Sequence, residues 1–298
     1  MTSDAAATPN EAGLRHDAAR ERVLLFGLSA PALALVTVTM VLPVGWLFWL
    51  SLFDDDGQLG LDNYRRLIEQ PSYGRILLAT FEISALTTAI CAVLGYLLAY
   101  LLAQLSPRRA GVLMIGVLMP FWTSILVRTY AWLVLLQRDG LINAWGMQLG
   151  LWRQPLALAY NLTGTVIGLV HIMLPFLVLP LYGSMRAIDR DCLKAAASLG
   201  ANPVSTFWRV YFPLSQPGLF AGAVIVFILC LGAYVTPAVL GGGKVIMTAN
   251  AVASDIELFF NWGAASALGV VLLLLTSILL YVASRIVRLD RVFGGHGP

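Results

Sequence analysis

Six long apolar runs, separated by shorter polar stretches, dominate this chain. The first is uncharged from Val23 to Phe53 and is interrupted by Pro31 and Pro43. The second, Ile76 to Leu105, holds one charge, Glu82, and the third, Ala110 to Leu136, also holds one, Arg128. The fourth covers Leu162 to Gly183, the fifth Pro217 to Leu240 and the sixth Ala264 to Ile286. A helix of about 20 apolar residues crosses a bilayer core, so every run is long enough. Lipid cannot satisfy an open backbone, and the alternation of a membrane barrel is absent. The pattern predicts an all-α polytopic membrane protein with six transmembrane helices. Residues 1–22 are expected as an N-terminal tail, 23–286 as the membrane domain with a long inner loop at 184–214, and 287–298 as a C-terminal tail.

Composition agrees. Of 298 residues, 59% are hydrophobic and 12% charged, against about a quarter charged in ordinary soluble domains. Mean hydropathy is +0.80. Cys91 and Cys230 fall inside apolar runs and Cys192 in the 184–214 loop, a placement that suits apolar filler rather than a disulfide framework. The polar start and the length of the first apolar run do not fit a secretory signal peptide.

Orientation follows from the distribution of Lys and Arg. With the N-terminus inside, the inner segments carry Arg15, Arg20, Arg22, Arg108, Arg109, Arg186, Arg190, Lys194, Arg209, Arg285, Arg288 and Arg291. The outer loops carry half as many: Arg65, Arg66, Arg75, Arg138, Arg153 and Lys244. This bias predicts both termini in the cytoplasm. The first outer loop then holds an acidic patch, Asp54 to Asp56, while the 184–214 loop is inner and basic.

That inner loop has its own pattern. Asp189 and Asp191 favour a helix start, Cys192 to Leu199 is rich in Ala, and Gly200 is a natural stop. Asn202 before Pro203 resembles a cap followed by proline at the first helical position. Val204, Phe207, Trp208 and Tyr211 then fall at i, i+3, i+4 and i+7, one apolar stripe. Pro213 is expected to end this second short helix and Pro217 to open the next span. On physical grounds two uses stand level: a docking site for a soluble partner, and an amphipathic hairpin lying on lipid headgroups. Sparse charge and membrane flanks argue against a nucleic-acid partner.

The segment Lys194-Ala195-Ala196, three residues, Gly200, nine residues, Val210-Tyr211-Phe212-Pro213 resembles the cytoplasmic loop E-A-A-x3-G-x9-I-x-L-P of permease subunits of type I ABC importers. Ala195, Ala196, Gly200 and Pro213 match, Val210 and Phe212 are conservative, and Lys194 stands where the family has Glu. Such a reversal reflects either a matched change in the partner or weaker coupling. Leu61-Asp62-Asn63-Tyr64, Phe121-Trp122-Thr123, Val127 to Trp132, His171 to Phe176 and Gly232 to Pro237 resemble the spermidine/putrescine-type branch. The resemblance implies the type I importer permease fold. It also implies ABC ATPase subunits gripping the 184–214 loop, a second homologous permease, an extracytoplasmic solute-binding protein met by the outer loops, and a place in a bacterial cytoplasmic (inner) membrane. The solute it implies is a polyamine or a related small organic compound.

The chain shows no engine of its own. A phosphate-binding loop needs G-x4-G-K-[ST]. In Gly241-Gly242-Gly243-Lys244 the first-glycine position is Ala238 and Val245 follows the lysine. ATP and Mg are therefore expected on the partner ATPase, with no cofactor, metal site or catalytic residue in this chain. Charges inside spans are functional candidates. Glu82 lies about 9 Å below the outer start of the second span and Arg128 about 12 Å below the outer end of the third. An ion pair between them is expected, with Tyr130, Tyr234 and Thr236 beside a solute path. His171, mid-span, is expected to make a helix–helix hydrogen bond. The alternative class is a secondary transporter driven by an ion gradient, with Glu82 or His171 carrying the proton.

Overall fold

The computed structural model describes the backbone of residues 9–53 and 57–286. Asp54 to Asp56, residues 1–8 and the tail at 287–298 lie outside the described residues. Helices follow in the order α1 (Pro9–Leu50), α2 (Asp62–Glu69), α3 (Pro71–Gln104), α4 (Pro107–Leu118), α5 (Ile125–Leu136) and α6 (Leu141–Gln148). Then come α7 (Leu162–Arg186), α8 (Arg190–Ser198), α9 (Pro203–Thr206), α10 (Phe212–Leu231), α11 (Val235–Leu240), α12 (Thr248–Glu257) and α13 (Trp262–Ile286). Among the described residues five helical stretches are long and apolar enough to cross a membrane, and a sixth span results if the bent pair α4 to α6 is counted as one. The all-α reading holds.

Three helices form the centre: α3, α7 and α10 pack against one another. Inside a bilayer, helix contact gains little from apolar burial, because lipid tails are as apolar as Leu; close van der Waals approach decides. Gly222 of α10 shows this. A Cβ there would lie 2.9 Å from the Leu177 carbonyl oxygen and 3.1 Å from its Cα, so only glycine lets α10 come this near α7. Around that contact Cys91, Ala99, Leu177, Val178, Leu181, Val226 and Cys230 are fully or almost fully buried. All three cysteines are free, Cys91 and Cys230 buried and Cys192 exposed. The first span, Phe26–Leu50, instead leaves its apolar surface exposed and packs on α13.

Polar side chains fasten several of the connections between helices. Buried Asn63 donates from Nδ2 to the carbonyls of Ser51 (3.2 Å) and Phe53 (2.6 Å), and Tyr64 shares a 2.7 Å hydrogen bond with Ser51. Asn143 bonds the carbonyls of Gln137 and Leu156 and accepts from the Leu156 N–H. Thr80 on α3 meets Thr248 on α12, hydroxyl to hydroxyl at 2.9 Å and again through the Thr248 N–H. Each bond satisfies backbone or hydroxyl groups that burial would otherwise leave unpaired.

Two elements depart from the sequence reading. The third span is not one helix. After α4 the chain tightens into a 3-10 turn at Met119–Trp122, Thr123 is extended, and α5 departs at 99°. Pro120 lacks the N–H to continue the ladder, and the Thr123 hydroxyl bonds the Pro120 carbonyl at 3.0 Å. The fifth span begins at Pro203 rather than Pro217 and stops at Leu231. Pro213 does not end a helix; it sits in the first turn of α10. A π-turn at Phe207–Tyr211, with the Phe212 N–H bonded to the Phe207 carbonyl, carries the chain across without a break. Widening the turn changes the register, and the proline falls where α10 restarts its own ladder.

Candidate functional site: an inner hairpin and a membrane cavity

The hairpin α8–α9 is built by local rules. Asp189 caps α8, its Oδ1 accepting from the Asp191 N–H at 2.9 Å. At the other end Gly200 takes φ +82°. The N–H groups of Gly200 and Ala201 return to the carbonyls of Ala197 (3.0 Å) and Ala196 (3.1 Å), a Schellman ending that needs a left-handed residue. Asn202 then caps α9, accepting from the Ser205 N–H at 2.7 Å, with Pro203 in the first turn.

The expected apolar stripe divides. Phe207 and Tyr211 turn inward onto α3: Tyr96–Phe207 at 6.0 Å, Tyr100–Phe207 at 5.6 Å and Tyr100–Tyr211 at 5.3 Å between ring centroids. Tyr96 also bonds Ser215 of α10 at 2.9 Å. Val204 and Trp208 face outward, with Leu199 beside them 88% exposed. One helix thus grips the bundle with one side and leaves the other free. Among the motif residues, Lys194, Ala195 and Gly200 are exposed, and Ala196 and Val210 share a groove of ≈ 440 Å³ with Leu199, Asn202 and Arg209. Phe212 packs on Tyr96 at 5.7 Å, and Pro213 is exposed. Lys194 reaches back along its own helix to Asp191 at 2.7 Å, both side chains about three-quarters exposed. Such a surface pair contributes about 0.5 kcal/mol, too little to hold Lys194 if a partner competes for it.

The second site lies where α5, α7, α10 and α11 meet. A cavity of ≈ 380 Å³ is lined by Arg128, Tyr234 and Thr236, together with Phe121, Met173 and Phe176 among others. Thr236 is buried and Tyr234 is 43% exposed. Phe121 and Phe176 meet edge to face at 4.8 Å. The break between α10 and α11 at Gly232 to Tyr234 is held by Asn250, whose Nδ2 donates to the Tyr234 carbonyl at 3.0 Å.

Not every expected pathway residue converges here. Tyr130 is exposed and lines another face of α5. Glu82 lines a separate cleft of ≈ 760 Å³ with Arg75 and Lys244. The Glu82–Arg128 ion pair is therefore not formed, and the Arg128 Nε is buried without a hydrogen-bond partner. His171 does not make the expected bond through Nδ1, which is likewise buried without a partner; its ring meets Trp132 edge-on at 5.6 Å. Phe121, Phe176 and Asn250 were missed. Pro120 followed by Thr123-Ser124 inside an apolar run was the available signal for Phe121, since it marks a chain break that exposes the ring.

Residues 92–289 match the family described as binding-protein-dependent transport system inner membrane component. The spermidine/putrescine transport system permease protein PotB of Haemophilus influenzae is 31% identical over 262 residues, covering 88% of this chain and 89% of that protein. PotB of Escherichia coli K12 is 34% identical over 229 residues, 77% of this chain and 83% of its own. A chain of the bacterial alginate ABC transporter, solved with an alginate pentasaccharide-bound periplasmic protein, superposes with a TM-score of 0.72. That match covers 94% of this chain and 98% of that one at 14% identity, which is a likeness of fold. With a capped hairpin, a broken third span and a matched family over most of its length, this chain belongs to the inner-membrane components of binding-protein-dependent transport systems and is the membrane-spanning permease of an ABC importer.

Proposed function

We propose that this permease works in an assembly with a second homologous permease, two ABC ATPase subunits and an extracytoplasmic binding protein, and that it imports a polyamine such as spermidine or putrescine, or a related amine. The observation that carries the reading is the hairpin. Its exposed side (Leu199, Val204, Trp208) and its groove form a docking surface, and its buried side is locked to α3 and α10 through Phe207, Tyr211 and Ser215. Movement of a docked ATPase is thereby delivered to the central helices. ATP and Mg belong to that partner. Both termini face the cytoplasm, on the same side as the hairpin, in keeping with the distribution of Lys and Arg. The solute rests on the likeness to proteins named as spermidine/putrescine permeases. Import is alternating access: each partner shifts the balance of two states by binding one better than the other. Nothing in the family match favours the ion-gradient alternative.

Vesicles holding the whole assembly test this. ATP should drive accumulation of radiolabelled putrescine when the binding protein is present outside, and collapse of the proton gradient should leave uptake intact. Uptake that survives loss of the ATPase and falls with the gradient would contradict the proposal.

A further inference from the structure

We propose that the cavity around Arg128 is a carboxylate-binding site. A guanidinium keeps its charge in proteins, and here it lies in a membrane-spanning element. Its Nε is buried with no hydrogen-bond partner. Among the described residues no Asp or Glu lines the cavity, and Glu82, the acid in the neighbouring span, lies in another cleft. Arg128 as a whole is partly exposed, and a cation within a span that its own chain does not neutralise is costly, so the open side of the guanidinium is available to a group outside this chain.

The chemistry of that group follows from the walls. Arg128 is the lone cation of the lining, which balances one monoanion and leaves a phosphate dianion under-neutralised. The flat fork of donors matches the two oxygens of a carboxylate. Phe121 and Phe176 line one side with apolar rings that meet at 4.8 Å. The volume, ≈ 380 Å³, falls within the range of small-ligand sites, about 300–1,000 Å³. Phe121, Ile125 and Tyr234 at its rim are each about 40% exposed, so the cavity is open to a neighbour or to a passing molecule. Two sources supply the same chemistry: an acidic side chain of the second permease, or a carboxylate on the solute. The first rests on the proposed assembly; the second makes the solute an amino acid in place of a simple polyamine, and so replaces that part of the proposed function.

Thermal melting of the intact importer in lipid nanodiscs decides between them, with Arg128→Met, Arg128→Lys and the parent compared, and with 4-aminobutyrate and putrescine as matched four-carbon probes. If a neighbouring subunit supplies the carboxylate, Arg128→Met strands that acid. The melting temperature then falls by at least about 3 °C without any solute, and Arg128→Lys restores part of the loss. If the solute supplies it, Arg128→Met melts no lower than the parent. In that case 4-aminobutyrate, and not putrescine, raises the melting point of the parent, and the rise disappears in Arg128→Met. An Arg128→Met assembly that melts as high as the parent or higher, with no shift from 4-aminobutyrate in either, overturns the proposal. None of these readouts depends on uptake, so failure of the carboxylate site is distinct from failure of polyamine import.

Discussion

Single polar side chains fasten the connections between the spans of this permease. Asn63 is the clearest case, since its amide satisfies two carbonyls at the end of the first span. Asn63→Ala leaves both unpaired and should cost about 2 kcal/mol, read as a lower melting temperature in detergent. Asp255 on α12 makes a second prediction. It is 8% exposed and one carboxylate oxygen has no partner. Burial pushes its pKa above the usual carboxylate range, against the pull of Arg66 and of a hydrogen bond from Tyr73. The folded state therefore holds this proton more tightly than the unfolded chain. Its contribution to stability is present at acid pH and is lost as pH rises through the folded value. Asp255→Asn should remove that dependence and melt no lower than the parent at pH 7, measured as melting temperature against pH.

How far residues were legible follows from the range of the forces involved. The caps of Asp189 and Asn202 and the stop at Gly200 rest on contacts within five residues, and the sequence pattern placed all three. The Glu82–Arg128 pair rested on depth alone. Helical rise gives height along an axis, whereas the direction a side chain faces depends on packing. Here the direction sends Glu82 to one cleft and Arg128 to another.

At the scale of elements, hydropathy located the spans but not their breaks. An apolar composition is the same for a straight helix and for one bent by 99°, because both bury the same residues in lipid. The third span turns at Pro120 to Ser124, and the fifth changes register through a π-turn; both depend on which backbone groups find partners. The boundary between hairpin and span was misread for the same reason, since a proline is tolerated wherever its missing N–H was already unpaired. The contact of α7 with α10 gives this scale its prediction. Gly222→Ala places a methyl against the Leu177 backbone and should destabilise the helix bundle by about 1–3 kcal/mol, seen in the melting temperature of the purified importer. The apolar flank of α1, exposed in this chain, is available to lipid.

For the whole molecule, the arrangement is a lever fixed to a bundle. The hairpin's inward rings bind it to α3, and the same helix runs on as α10 past Leu177 and the Arg128 cavity. A push at the hairpin would therefore have a continuous packed route to the break at Gly232 to Tyr234. Trp208 is exposed on its outer edge and packs on Phe207 at 5.2 Å and Phe212 at 5.3 Å with the other; Trp208→Glu should uncouple the assembly, so that ATP hydrolysis persists while putrescine uptake falls at least tenfold.

The most direct measurement is a cross-link at the hairpin tip. Cys192 is the one exposed native cysteine and Cys91 and Cys230 are buried, so Cys192→Ser gives a background with no exposed native thiol. Adding Leu199→Cys places a single reactive thiol on the docking surface. In vesicles holding the whole importer, with single cysteines introduced in turn across the ATPase face, at least one pair should join on oxidation, and ATP-driven uptake should stop until the bond is reduced. An importer that transports normally while position 199 joins to no ATPase position, and remains freely labelled by a bulky thiol reagent throughout turnover, would contradict the lever.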